Sequence, residues 1–164
     1  MPVSKSEFVR RYGDIYEHSA WVAKRAASHL DDGSDVETIA RVMADCVDNA
    51  ALDQQLALIR AHPDLAGKAQ LAGELTVDST SEQASAGLDQ CTAAEYEQFQ
   101  VLNRQYRDKF GFPFVMAVRD SGRAEILAAF EARLANDATL EFETALSEIH
   151  KIARLRLEAM GERA

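Results

Sequence analysis

His62 stands between a stretch of helical periodicity and a proline, in the run His62-Pro63-Asp64. An imidazole is the side chain most easily poised for proton transfer near neutral pH. Taken alone, the residue also reads as a polar, partly exposed loop histidine or a cation closing the preceding helix. Arg156 is the second anomaly. At about 100° per residue it shares an arc with Phe142, Ala145, Leu146, Ile149, Ile152, Leu157 and Met160, while Lys151 and Arg154 point to the polar side. A guanidinium on a core-facing stripe requires a structural ion pair, an anionic ligand, or escape to solvent at the helix end. Glu82 could orient a base, but Ser79-Thr80-Ser81-Glu82 has the spacing of a capping box, which explains Ser79 and Glu82 without chemistry. Phe110-Gly111-Phe112-Pro113-Phe114-Val115 is apolar and irregular. It can simply pack, or it can offer backbone N–H and C=O groups between aromatic walls to a flat polar ligand.

Other chemistries find no support. His18, His29, His62 and His150 are scattered, without His-x-x-x-His spacing, and Cys46 and Cys91 are isolated, so no metal site is expected and the thiols read as reduced. There is no glycine-rich phosphate loop and no Gly-x-Ser-x-Gly elbow.

The elements that must position these residues are helices. Of 164 residues, 47% are apolar; Ala and Leu number 43 against 22 for Val, Ile and Thr, with three prolines. Without repeats or linkers, the expectation is one domain over 1–164, all-α and bundle-like, with seven or eight helices. Capping boxes are expected at Ser4-Lys5-Ser6-Glu7, Ser79-Thr80-Ser81-Glu82 and Thr92-Ala93-Ala94-Glu95. Phe8, Tyr12, Ile15 and Tyr16 suggest a first helix, and Ser19 opens a second carrying Trp21 and Val22. Val36, Ile39, Met43 and Val47 form a stripe that Leu52, Leu56 and Ile59 continue. His62-Pro63 ends that stretch, and Pro63 and Asp64 suit the first turn of a short following helix. A loop follows over 72–78. Phe99, Leu102, Tyr106 and Phe110 then share a face of a long helix, residues 111–120 run irregularly, and Ser121 or Gly122 starts the next helix. Asn136-Asp137 precedes the last.

Charge narrows the partners. With 18 Lys and Arg against 27 Asp and Glu, the formal net charge is -9, and no basic run exists to neutralise phosphates, so nucleic acid and anionic membranes are not expected partners. The longest apolar run, Phe112 to Val118, is far short of the ~20 residues a membrane helix needs. The start lacks a signal pattern and the end is not a peroxisomal address, so a soluble cytoplasmic protein is expected.

Composition and spacing by themselves reach a helical domain with room for an anion site. Five blocks take the reading further. Leu58-Ile59-Arg60-Ala61-His62-Pro63-Asp64-Leu65-Ala66-Gly67-Lys68, then Ser79-x-x-Glu82-Gln83 with Ala86-Gly87-Leu88, then Leu102-Asn103-x-x-Tyr106-x-x-Lys109-Phe110-Gly111-Phe112-Pro113-Phe114-Val115 closely resemble the OHCU decarboxylase family. The name abbreviates 2-oxo-4-hydroxy-4-carboxy-5-ureidoimidazoline, an intermediate of urate breakdown. Phe8 with Ser19-Ala20-Trp21-Val22, and Lys151-Ile152-x-x-Leu155-Arg156-Leu157, also resemble the family.

The resemblance implies an all-α homodimer that converts this compound to S-allantoin without metal or organic cofactor. It implies that His62 is the catalytic general acid/base and Glu82 the acid that orients it. Pro63, Ser79, Gln83, the Phe114-Val115 backbone and Arg156 would surround the ligand. Met116 and Arg119-Asp120 depart from the pattern. A helical binding or oligomerisation module, and a hydrolase of a related ureido compound, are the competing readings.

Overall fold

Residues 4–67 and 72–163 are described by the structure, a computed structural model, with backbone alone for 162 and 163. Among them eight α-helices follow one another and no β-strand forms: α1 (Lys5–Tyr12), α2 (Trp21–Ala27), α3 (Val36–Asp48), α4 (Leu52–Arg60), α5 (Val77–Ser85), α6 (Ala93–Phe110), α7 (Arg123–Leu134) and α8 (Ala138–Arg163). One 3-10 turn, Leu88–Gln90, lies between α5 and α6. The all-α expectation, with seven or eight helices, holds.

Side-chain caps open α3, α5, α6 and α8, four of the eight described helices. Asp35 accepts from the Thr38 N–H at 2.8 Å to open α3. Thr92 and Glu95 form a complete capping box on α6: the Glu95 N–H reaches Thr92 Oγ1 at 3.1 Å and the Thr92 N–H reaches Glu95 at 2.9 Å. Ser4 precedes α1, yet its hydroxyl turns to Ser6 and caps no backbone group. α1 also stops at Tyr12, short of the expected Ile15 and Tyr16, because Gly13 and Asp14 are poor helix formers. Both apolar side chains are buried from an irregular segment instead. The stripe of Ile39, Met43 and Val47 is buried as expected, but the break at 49–51 resets the helical phase. Leu58 and Ile59 therefore face inward from α4, while Leu52 is 63% exposed.

The chain divides into two compact units. The first holds residues up to Ala61 and from Ile149 onward. There α2 packs on both α1 and α3, and Tyr16, Val22, Met43, Val47 and Leu58 are fully buried. The second, His62–Glu148, has an aromatic centre. Tyr106 meets Phe114 and Phe130 edge-on at 5.4 and 5.9 Å, and Phe114 stacks on Phe130 at 3.9 Å. α6 ends at Gly111, whose φ of 77° suits glycine and lets its N–H bond the Arg107 carbonyl.

Candidate active site

Pro63 pushes its predecessor out of the helical region, so α4 ends at Arg60 and His62 begins a turn in the second unit. The exposed loop histidine expected from position alone is not what the structure places there: His62 is 6% exposed. The turn that follows is tight. Ala66 has a φ of 50°, a left-handed conformation that costs a non-glycine residue roughly 1–2 kcal/mol. A Cβ on Gly67 would lie 2.8 Å from the Asp64 Cβ, so the turn closes only over glycine.

Three consecutive carbonyls of this turn accept from side chains. Gln83 Nε2 donates to the Asp64 carbonyl at 3.2 Å, Asn103 Nδ2 to Leu65 at 3.0 Å, and Gln100 Nε2 to Ala66 at 2.8 Å. The Ala66 N–H donates in turn to Gln83 Oε1 at 3.0 Å. The Asp64 carboxylate accepts from Arg107 Nε and Nη2 at 3.0 and 2.9 Å. The short helix expected after Pro63 is absent as far as Gly67; its continuation over 68–71 lies outside the described residues. A cavity of about 720 Å³ borders the turn, lined among others by Pro63, Asp64, Gln100, Asn103 and Arg107.

Gln83 comes from α5, which starts earlier than expected. Thr76 is its cap, accepting from the Ser79 N–H at 3.2 Å, and Asp78 adds a carboxylate to the first turn. Ser79 is therefore inside the first turn and Glu82 a turn further along. The capping box that would have explained both does not form. Ser79, Gln83 and Ala86 share the buried face of α5, and Glu82 is half-buried.

Phe114 and Val115 are buried in the irregular segment after α6. Arg133 holds them: its Nη1 donates to the Val115 carbonyl at 2.6 Å, and its guanidinium lies 4.3 Å from the Phe114 ring centre. Arg133 is itself paired with the fully buried Glu141 at 2.8 Å. Downstream, the Ala117 N–H donates to Glu148 at 3.2 Å. Burial raises the Tyr106 phenol above its ordinary range, against the opposing Arg133 charge.

Arg156 belongs to the first unit. It is buried on the apolar face of α8 as periodicity requires, with Lys151 and Arg154 exposed. Its Nη1 lies 3.6 Å from Glu17 Oε1, both side chains being 2% exposed, and donates to the carbonyls of Asp14 and Ile15 at 3.4 and 3.2 Å. The structural ion pair weighed for it is present. In the same unit, Tyr16 Oη lies 2.7 Å from His150 Nδ1, and His150 Nε2 lies 3.0 Å from Asp48. Burial, reinforced by the Asp48 charge, raises the Tyr16 phenol far above its ordinary range.

The structure thus joins His62 and Pro63, through the turn they head, to Gln83 of α5, the helix that also carries Ser79 and Glu82. Phe114 and Val115 share that unit, and Arg156 lies in the other. Sequence reasoning missed Glu17, Gln100, Arg107, Arg133 and Glu141. The i, i+3, i+7 spacing of Gln100, Asn103 and Arg107 was the available signal for a polar row beside the apolar face of α6. Among the described residues no group of three His, Cys, Asp or Glu could hold a metal ion, and no helix is long and apolar enough to cross a membrane.

By fold and site the described residues are all-helical, and their second unit carries a buttressed histidine turn. The sequence profile of the OHCU decarboxylase family matches residues 2–158. A 2-oxo-4-hydroxy-4-carboxy-5-ureidoimidazoline decarboxylase of Halalkalicoccus jeotgali is 48% identical over 95% of this chain and 86% of its own. One of Haloferax volcanii is 49% identical over 92% and 86%. A crystal structure of (S)-allantoin synthase superposes with a TM-score of 0.73 at 33% identity, over 96% of this chain and 50% of that one. The chain belongs to the OHCU decarboxylase family.

Proposed function

We propose that this chain decarboxylates 2-oxo-4-hydroxy-4-carboxy-5-ureidoimidazoline to (S)-allantoin, with His62 as general acid/base and Glu82 as the residue that orients it. The observation that carries the residue assignment is the setting of His62: buried, and heading a turn whose carbonyls at 64, 65 and 66 are each held by a side chain. A general base acts only from a fixed position within hydrogen-bond reach of its proton.

The substrate is a five-membered ring in which one carbon bears hydroxyl and carboxylate and its neighbour is an imine carbon bearing the ureido group. When CO₂ leaves, the electron pair of the broken bond forms a C=C bond to that neighbour. The imine π pair moves to nitrogen, which takes a proton. The hydroxyl proton is then lost as the carbonyl forms, and the ureido carbon takes a proton on one face, so one proton is consumed overall. The imine is the electron sink, which is why the reaction needs neither metal nor organic cofactor.

His62 receives the hydroxyl proton, and Glu82 fixes the tautomer and angle of the ring. Ser79 and Gln83 read the ureido and ring amides. Gln83 already commits its oxygen and one N–H to the turn, so its second N–H serves the ligand. Pro63, Phe114 and Val115 wall the ring, and the family resemblance adds Arg156 for an anionic or carbonyl oxygen. The same resemblance supports a homodimer, and Cys46 and Cys91, both free thiols, suit a cytoplasmic protein. The test is to feed freshly generated substrate and follow its ultraviolet decay. Decay faster than in buffer, undiminished by a chelator, supports the proposal; decay at the buffer rate contradicts it.

A further inference from the structure

We infer that one face of α6, formed by Gln100, Asn103 and Arg107, positions His62 for the reaction by holding the turn that follows it; the inference rests on the catalytic role proposed for His62. The three residues fall at i, i+3 and i+7, which places them in one row, while Phe99, Leu102 and Tyr106 are buried on the helix's apolar side. Each donates to a different residue of the turn, and the three acceptors are consecutive: Arg107 to the Asp64 carboxylate, Asn103 to the Leu65 carbonyl, Gln100 to the Ala66 carbonyl. The register is about one turn of α6 for each residue of the loop.

Two features make this row more than ordinary packing. Ala66 is held in a left-handed conformation with both its N–H and its carbonyl bonded to side chains; such strain persists only where the surroundings over-determine it. Asn103 is 4% exposed, and its Oδ1 is buried without a hydrogen-bond partner. An amide serving stability alone would not leave half its bonding capacity unused in the interior. Arg107 is the most accessible member, with its side chain 46% exposed, so its truncation leaves packing nearly intact while releasing Asp64.

The test uses Arg107→Ala, Gln100→Ala and Arg107→Lys in the full chain. Two readouts are taken: steady-state kinetics with fresh substrate, and the imidazole ring signals of the four histidines by NMR. For each alanine variant kcat should fall between about tenfold and a hundredfold, as for a catalytic group displaced by a fraction of an ångström. KM should stay within about twofold, because the row acts through the turn that carries His62 and the loss falls on the chemical step. The His62 ring signals should shift or broaden while those of His150, in the first unit, stay in place. Arg107→Lys, which can still give Asp64 one charged N–H, should recover part of kcat. Unmoved His62 signals in both alanine variants would overturn the inference, and so would displaced signals with kcat unchanged. The role of His62 is checked separately: a His62→Asn variant of full activity sinks the proposed function whatever the α6 variants do.

Discussion

In the first unit, buried polar groups close on one another. Arg156 faces Glu17 and two carbonyls of the segment beside it. His150 has one ring nitrogen at Tyr16 and the other at Asp48. In the second unit, beside the buried Arg133–Glu141 pair, polar side chains from α5 and α6 converge on one strained turn headed by a histidine. Two histidines of one chain thus differ in what is held around them. His150 is fixed by its own side-chain contacts, and its ring is fully engaged in keeping α8 against residue 16. His62 heads a turn held from outside, which is the arrangement a proton-transfer group needs. Arg156 answering Glu17 serves the architecture of the first unit, whatever it also gives a ligand, and the side chains that converge on one backbone turn mark the site.

Breaking each side of this contrast should damage different properties. The largest effect is expected at His62. His62→Asn keeps a polar, buried side chain but loses the proton chemistry, so turnover should fall by about 10²–10⁴-fold in a protein that melts cooperatively. Wild-type turnover in that variant removes His62 from the mechanism. Next comes Arg156→Met, which takes away the guanidinium facing Glu17 in the interior. Urea denaturation should show a loss of about 3–5 kcal/mol, and Glu17→Gln should be destabilised as well. Turnover lost out of proportion to stability supports the ligand contact proposed for Arg156, and turnover kept by the folded variant removes it from the ligand site.

Glu82→Gln sharpens the contrast further. Since Thr76 caps α5, removing this charge should change stability by less than about 1 kcal/mol, while activity drops clearly. A parallel fall of both would return Glu82 to a structural role. The smallest effect is expected at the start of α6. The Thr92 N–H, together with Arg123, holds the Glu95 carboxyl below its usual range. A lowered folded value gives stability that is present above the unfolded pKa, about 4.3, and is lost as pH falls through the folded value. The melting difference between wild type and Glu95→Gln should therefore be constant near neutrality and shrink in acid.

Much of this was legible in the sequence, for identifiable reasons. The burial of Arg156 followed from helical phase, because α8 is long and regular enough for 100° steps to accumulate without error. The cap at Thr92 was readable since its glutamate sits three residues on. Ser79 misled because Thr76 offers the same chemistry three residues earlier, and local spacing does not choose between two good caps. Ile15 and Tyr16 kept helical periodicity beyond the end of α1 because burial constrains apolar residues in turns as well as in helices. The turn at 62–67 was out of reach: its geometry depends on hydrogen bonds from Gln83, Gln100, Asn103 and Arg107, up to 43 positions away in sequence. The motif around His62 was visible, and the scaffold that gives it a position was not.

The stereochemistry of the product tests the proposed mechanism most directly. If the ring is clamped while the ureido carbon takes its proton, one face is shielded, and a barrier difference of ~1.4 kcal/mol already gives a tenfold excess of one enantiomer. Circular dichroism of allantoin formed from fresh substrate should show the single sign of the S enantiomer with wild-type protein and none in buffer alone. An optically inactive product, recorded before spontaneous racemisation, would place the final protonation in free solution and contradict a mechanism in which the held site around His62 completes the reaction.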